Sequence, residues 1–147
     1  MQEDRLEGIV ENLMFVLPLI HKKLFRTASP AGDGNISRVH FAIMATLNEA
    51  GPQPISEVGR QLLIPKPQMT ALVDRLVRMG MMERLADRDD RRVTRITLTE
   101  KGHETIMKKR QFLKDNVREK LSRLDEDGLE DLSIALSDVR NVLTKMD

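Results

Sequence analysis

The feature that most constrains this chain is a change of hydrophobic period at Gly80. Before that glycine, apolar residues recur at helical spacing: Ile55, Val58 and Leu62, then Met69, Leu72, Val73 and Leu76. After it, Thr94, Ile96 and Leu98 alternate with polar partners inside the β-branched run from Arg92 to Thr99, the pattern of a half-buried strand. Met82 to Ala86 supplies an antiparallel mate. Between the two strands lie six consecutive charges, Asp87-Arg88-Asp89-Asp90-Arg91-Arg92, which read as an exposed turn. The segment Ile64-Pro65-Lys66-Pro67 interrupts the helical pattern, and Pro67 suits the first turn of the helix that follows, where its missing N–H would be unpaired anyway. Gly80 stands where a left-handed cap would end that helix, with Met81 placed for the accompanying apolar contact. The order is therefore helix, short turn, helix, then a hairpin with a basic tip.

Longer helices flank this unit. Leu6, Val10, Leu13, Leu17, Ile20 and Leu24 form one apolar stripe, which Pro18 should kink. Ser29 to Asn35, with Pro30, Gly32 and Gly34, reads as a loop. Ser37 is placed to cap a helix carrying Val39, Ile43 and Leu47, which ends at Gly51-Pro52. Thr99 is placed to cap a long helix through Ile106, Leu113, Val117, Leu121 and Leu124. Asp125 caps the last one, where Leu129, Leu132, Leu136, Val139, Leu143 and Met146 step three and four. A repeat near 3.5 lets helices pack along their length. One helix pair could satisfy both seams within a chain, but the seams reach the last residues, where an isolated chain usually frays, which favours an intersubunit role.

Composition removes several function classes. The chain has 147 residues and no cysteine, so disulfides, thiolate catalysis and cysteine-based zinc or redox sites are excluded. That usage fits the cytoplasm. The N-terminus shows no basic segment followed by an apolar one, so no signal peptide is expected, and no apolar run is long enough to span a membrane. Four Phe and no Trp or Tyr leave little for stacking on single-stranded nucleic acid. The net charge of +1 is unevenly spread: from Ile55 to Gly102 there are ten basic and seven acidic residues, a basic centre between acidic ends. No nucleophile-elbow, metalloprotease, P-loop or dinucleotide fingerprint appears.

Helix, turn, helix and basic-tipped hairpin is the winged helix-turn-helix order, and each part has a task on duplex DNA. The second short helix must offer polar side chains to base edges in the major groove. Lys66, Gln68 and Thr70 are of that kind, since Gln pairs with adenine, Lys with guanine, and Thr touches a thymine methyl or a phosphate. Arg75, further along, is a candidate for a phosphate. Arg88, Arg91 and Arg92 are candidates for the backbone or a narrow minor groove.

These residues resemble the MarR family of bacterial transcriptional regulators. The likeness rests on Leu72-Val73-Asp74-Arg75-Leu76, Gly80, Asp90-Arg91-Arg92, and Leu98-Thr99 with Gly102, inside the segment from Ile64 to Gly102. The long terminal helices agree with it too. Two positions depart from the family pattern: Pro65 replaces a Ser-like cap, and Ala71 a frequently basic residue. The resemblance implies a fold that is mainly α with a small β-hairpin wing: a winged helix-turn-helix lobe over 36–102, with dimerisation helices at 1–28 and 103–147. It implies a homodimer reading palindromic double-stranded DNA, with Arg92 entering the minor groove and Asp90 orienting it. It also implies a repressor released by a small aromatic or anionic effector bound between dimer base and lobe, with His40 a candidate for that pocket.

Blander readings stand beside these. Lys66, Gln68 and Thr70 would suit any solvated first helical turn, and a charged hairpin tip can serve only to keep an edge strand from aggregating. Asp87, Asp89 and Asp90 oppose DNA unless they hold the arginines. His40 can equally satisfy a helix end, His103 belongs on a surface, and a metal site built from these with Glu104 is poorly supplied with ligands. No metal, cofactor or enzymatic activity is expected. The rival function is a helical interaction module whose winged lobe binds a protein.

Overall fold

The computed structural model describes residues 1–26 and 36–146. The expected loop from Ser29 to Asn35 lies outside the described residues. The elements run α1 (Gln2–Ile20), a π-helical turn (His21–Phe25), α2 (Arg38–Ala50), β1 (Gln53–Pro54), α3 (Ile55–Gln61), α4 (Lys66–Arg78), β2 (Met82–Ala86), β3 (Thr94–Leu98), α5 (Glu100–Leu121) and α6 (Glu126–Leu143). The fold is mainly helical with one small antiparallel sheet in the order β1-β3-β2.

Contacts divide the chain into two units: Ser29–Gln111, and Met1–Ala28 with Phe112–Asp147. The first unit is the winged lobe. Its core takes Ile43, Met44 and Leu47 from α2, Val58 from α3, Met69, Val73 and Leu76 from α4, then Met81, Met82, Ile96 and Ile106. Each such side chain contributes about 1.5–3 kcal/mol by leaving water. In the second unit, α1 and α6 bury none of their residues.

Local chemistry fixes the ends of the lobe's helices. Ser37 caps α2: its hydroxyl accepts from the His40 N–H, while the His40 ring accepts from the Ser37 N–H, a reciprocal pair of bonds. Gly51 ends α2 at a φ of +76°. At the end of α4, Gly80 has a φ of +73°; its N–H reaches the Val77 carbonyl and the Met81 N–H reaches Leu76. These are the paired bonds of a Schellman cap, which a left-handed glycine accommodates without strain. The end of α3 makes the same two bonds, Leu63 N–H to Arg60 and Ile64 N–H to Gly59, but the left-handed residue there is Leu63, at a φ of +55°.

The start of α5 locks onto the end of α4. Thr99 Oγ1 donates to the Gly80 carbonyl and accepts from the Gly102 N–H, and Lys101 Nζ donates to the Met79 carbonyl. Gly102 packs so closely that a Cβ there would overlap the Met81 carbonyl oxygen. Asp125 caps α6 by accepting from the Gly128 N–H at 2.7 Å.

Three details add to or differ from the sequence expectations. Pro18 lies inside α1, which runs through it to Ile20, and a π-helical turn follows, its end tied down by Lys120 Nζ donating to the Leu24 and Arg26 carbonyls. The strand expected over 92–99 is confined to Thr94–Leu98, because residues 87–93 close on themselves: Asp87 N–H bonds Val93, and Val93 N–H bonds Asp90. A third strand, β1, pairs Gln53 with Ile96 and Pro54 with Arg95.

Candidate nucleic-acid interface

Within the lobe, α3 and α4 meet in a tight turn, and the hairpin of β2 and β3 stands beside them. Close packing sets the helix pair: a Cβ on Gly59 would lie 2.9 Å from Met69 Cγ and 3.2 Å from the Ile64 carbonyl oxygen. The hairpin register is regular, from Met82 opposite Leu98 to Ala86 opposite Thr94. An open concavity of about 690 Å³ lies between these elements, lined by α3, the start of α4, β2 and the chain entering β3. Its lining carries four cations, Arg60, Lys66, Arg84 and Arg92, and no carboxylate among the described residues.

Several of the expected residues come together here. Lys66 is the first residue of α4 and exposed; Thr70 is one turn on, its hydroxyl donating to the Lys66 carbonyl. Gln68 is exposed but is not among the lining residues. The α4 N-cap is Pro65, which offers no side-chain oxygen, so the first amides of the helix have no side-chain cap. At the wing, Arg92 is 91% exposed in its side chain. Asp90 Oδ1 accepts from both the Arg92 backbone N–H at 3.0 Å and its Nε at 3.2 Å. These bonds, the backbone one first, hold the Asp90 carboxyl below its ordinary range. Asp87 pairs with Arg95, at 3.6 Å, and accepts from the Asp90 N–H. Asp89 makes no such pair, and Arg88 and Arg91 are exposed at the tip without an ion pair among the described residues.

Arg75 is placed differently from the cations of the concavity. It is half-buried, its Nε is shielded from solvent with no partner among the described residues, and its charge acts on His40. His40 is 6% exposed. Its Nδ1 accepts from Ser37, so the ring proton of the neutral form sits on Nε2, which is buried without a partner among the described residues. Burial, and after it the Arg75 charge, hold this imidazole below its ordinary value. Among the described residues, no group of His, Asp and Glu is arranged to hold a metal ion.

Sequence reasoning did not pick out Arg60 and Arg84. Arg60 is bridged to Glu57, and Arg84 to Asp74 of α4, which ties the wing strand to the helix. Helical spacing of Arg60 with Lys66 across the turn could not reveal them; the neighbouring wing does.

The lobe coincides with a known sequence pattern: residues 36–94 match the model of the MarR family. Over that segment the chain is similar to the MarR family. Among its relatives is the HTH-type transcriptional regulator YpoP of Bacillus subtilis, 30% identical over 91 residues, covering 62% of this chain and 64% of that one. The chain spans between 44% and 64% of the length of the first curated relatives it matches. The transcriptional regulator Tm0710 of Thermotoga maritima is similar in structure, with a TM-score of 0.69 and 25% identity over 97% of this chain and 96% of that one. FabT of Streptococcus pneumoniae, solved in complex with DNA, shares the fold with a TM-score of 0.63 and 21% identity over 99% of each chain. MarR winged-helix architecture therefore accounts for the order of elements along the whole chain. No helix among the described residues is long and apolar enough to cross a membrane.

Proposed function

We propose that this chain is a MarR-like transcriptional regulator, not an enzyme, which represses by binding a palindromic operator in duplex DNA as a homodimer. The observation that carries this reading is the concavity with four cations and no carboxylate between α3, α4 and the wing. Cations on that face neutralise phosphates, while Lys66, Gln68 and Thr70 meet base edges. Arg75, though half-buried, is kept as a candidate phosphate contact. FabT, which shares the fold, is solved in complex with DNA, and that supports a DNA partner. Exposed apolar seams on α1 and α6 support dimerisation by residues 1–28 and 103–147, with Leu6 61% and Leu143 55% exposed. Two such lobes would address half-sites about one helical turn apart. For release, we propose a small anionic effector, which would find the buried donors of His40 and Arg75 that have no partner among the described residues. A regulator of this kind works in the cytoplasm.

The test is a titration of a labelled duplex carrying the chain's own upstream DNA, by wild type and Arg92→Ala across a salt series, with and without benzoate as a small aromatic anion. Specific binding that falls steeply with salt is expected. Arg92→Ala should weaken it roughly tenfold and flatten the salt slope by about one. Folded, dimeric protein that binds no duplex better than nonspecifically would sink the reading and point to a protein partner.

A further inference from the structure

Leu63 is the residue in the lobe whose presence the fold does not explain. It ends α3 in the left-handed conformation, at a φ of +55°. Its two cap bonds are backbone bonds that any residue would make, and the equivalent position at the end of α4 is the glycine Gly80. A side chain in that conformation is strained, more so for a bulky one than for Gly or Asn. Nor does burial offset the strain, because Leu63 is 89% exposed while both its neighbours, Leu62 and Ile64, pack against the core. Strain held at one position without return from the fold marks a residue kept for what it touches.

What lies around it is specific. The same turn carries Arg60 and Lys66, three residues away on each side, and both line the cationic concavity together with Ile64. A polyanion drawn to those cations meets the turn, and the apolar surfaces a duplex offers are deoxyribose faces and thymine methyl groups. We propose that Leu63 is a DNA-contacting residue, an apolar knob that the turn between α3 and α4 sets against the duplex beside Arg60 and Lys66. This rests on the DNA-binding reading above and adds an affinity contribution that carries no charge.

The proposal separates stability from binding, and three variants read that separation: Leu63→Gly, Leu63→Asn and Leu63→Met. Gly and Asn both tolerate the backbone and remove the apolar surface, so the melting midpoint should rise by about 2 °C for Leu63→Gly. Affinity for the labelled upstream duplex should nevertheless fall about tenfold for both, the loss expected when a leucine contact is given up. The salt slope should stay at the wild-type value, since no phosphate contact is lost. Leu63→Met, which keeps the apolar reach, should bind like wild type. Replacing dT by dU in the duplex distinguishes the sources. Wild-type affinity falls to that of Leu63→Gly if Leu63 packs on a methyl, and is unchanged if it packs on a sugar. An unchanged Kd for Leu63→Gly overturns the proposal, as does a lowered melting midpoint or a slope reduced by one. Wild type that binds no duplex overturns the DNA-binding reading itself, a different failure from the loss of a difference among variants.

Discussion

In the lobe, every buried hydrophobic residue among those described falls between Ile43 and Ile106, whereas α1 and α6 have comparable apolar stripes and bury none of them. Leu13 is 47% exposed and Val142 61%. Both regions were written with the same rule, apolar residues at three and four. The difference is that α2, α3 and α4 face one another and the sheet, so a stripe on each closes a core within one chain. A stripe says that a surface must be covered; only the surrounding topology says by what. The lobe covers its own, and the terminal helices leave theirs exposed.

The sharpest way to break this contrast is at Gly102. Gly102→Val should destabilise the lobe by roughly 4 kcal/mol, because the obstacle is backbone and has no rotamer to escape into. Urea unfolding followed by circular dichroism measures it; a change below about 1 kcal/mol would show that the corner relaxes. Next in size is the terminal unit. Leu136→Glu with Leu143→Glu should leave the lobe's own unfolding intact while weakening self-association by at least about 100-fold, or some 3 kcal/mol. Analytical ultracentrifugation decides it, and a protein that stays equally associated would move the seam elsewhere. The smallest effect concerns His40. Its native imidazole is held below its ordinary value, so the unfolded chain takes up a proton that the folded one refuses. Stability is therefore full above pH 6.5, the usual histidine value, and is lost as pH falls from there until the native ring protonates too. His40→Gln can complete the same cap without titrating, so the acid-side loss should shrink in thermal melts between pH 7 and pH 5. An identical pH dependence would mean that another group titrates.

What could be read from residues alone was whatever is local. Ser37, Gly80, Thr99 and Asp125 act on amides and carbonyls within a few positions, and each stands where the sequence put it. The hairpin followed from its alternation. By contrast, β1 has two residues, one of them proline, and its partners are Ile96 and Arg95, some forty residues on; no short-range pattern carries that pairing. The candidate interface divides the same way. Lys66, Thr70 and Arg92 were legible from helix position and turn charge, while Arg60 and Arg84 become members only because the wing folds back beside α3. Arg75 shares a helix with Lys66 yet acts on His40, since helix phase alone does not reveal which neighbour stands on each side.

The clamp between Thr99, Lys101, Gly102 and the end of α4 has a mechanical consequence. The helix is 13 residues long, about 20 Å, and is built in at its C-terminal root, whereas its N-terminal tip has no side-chain cap. A rod fixed at one end magnifies angular error along its length: a tilt of about 3° at Gly80 moves Lys66 by about 1 Å, enough to spoil a hydrogen bond. Three separate contacts at the root are the tolerance that a probe of this reach demands.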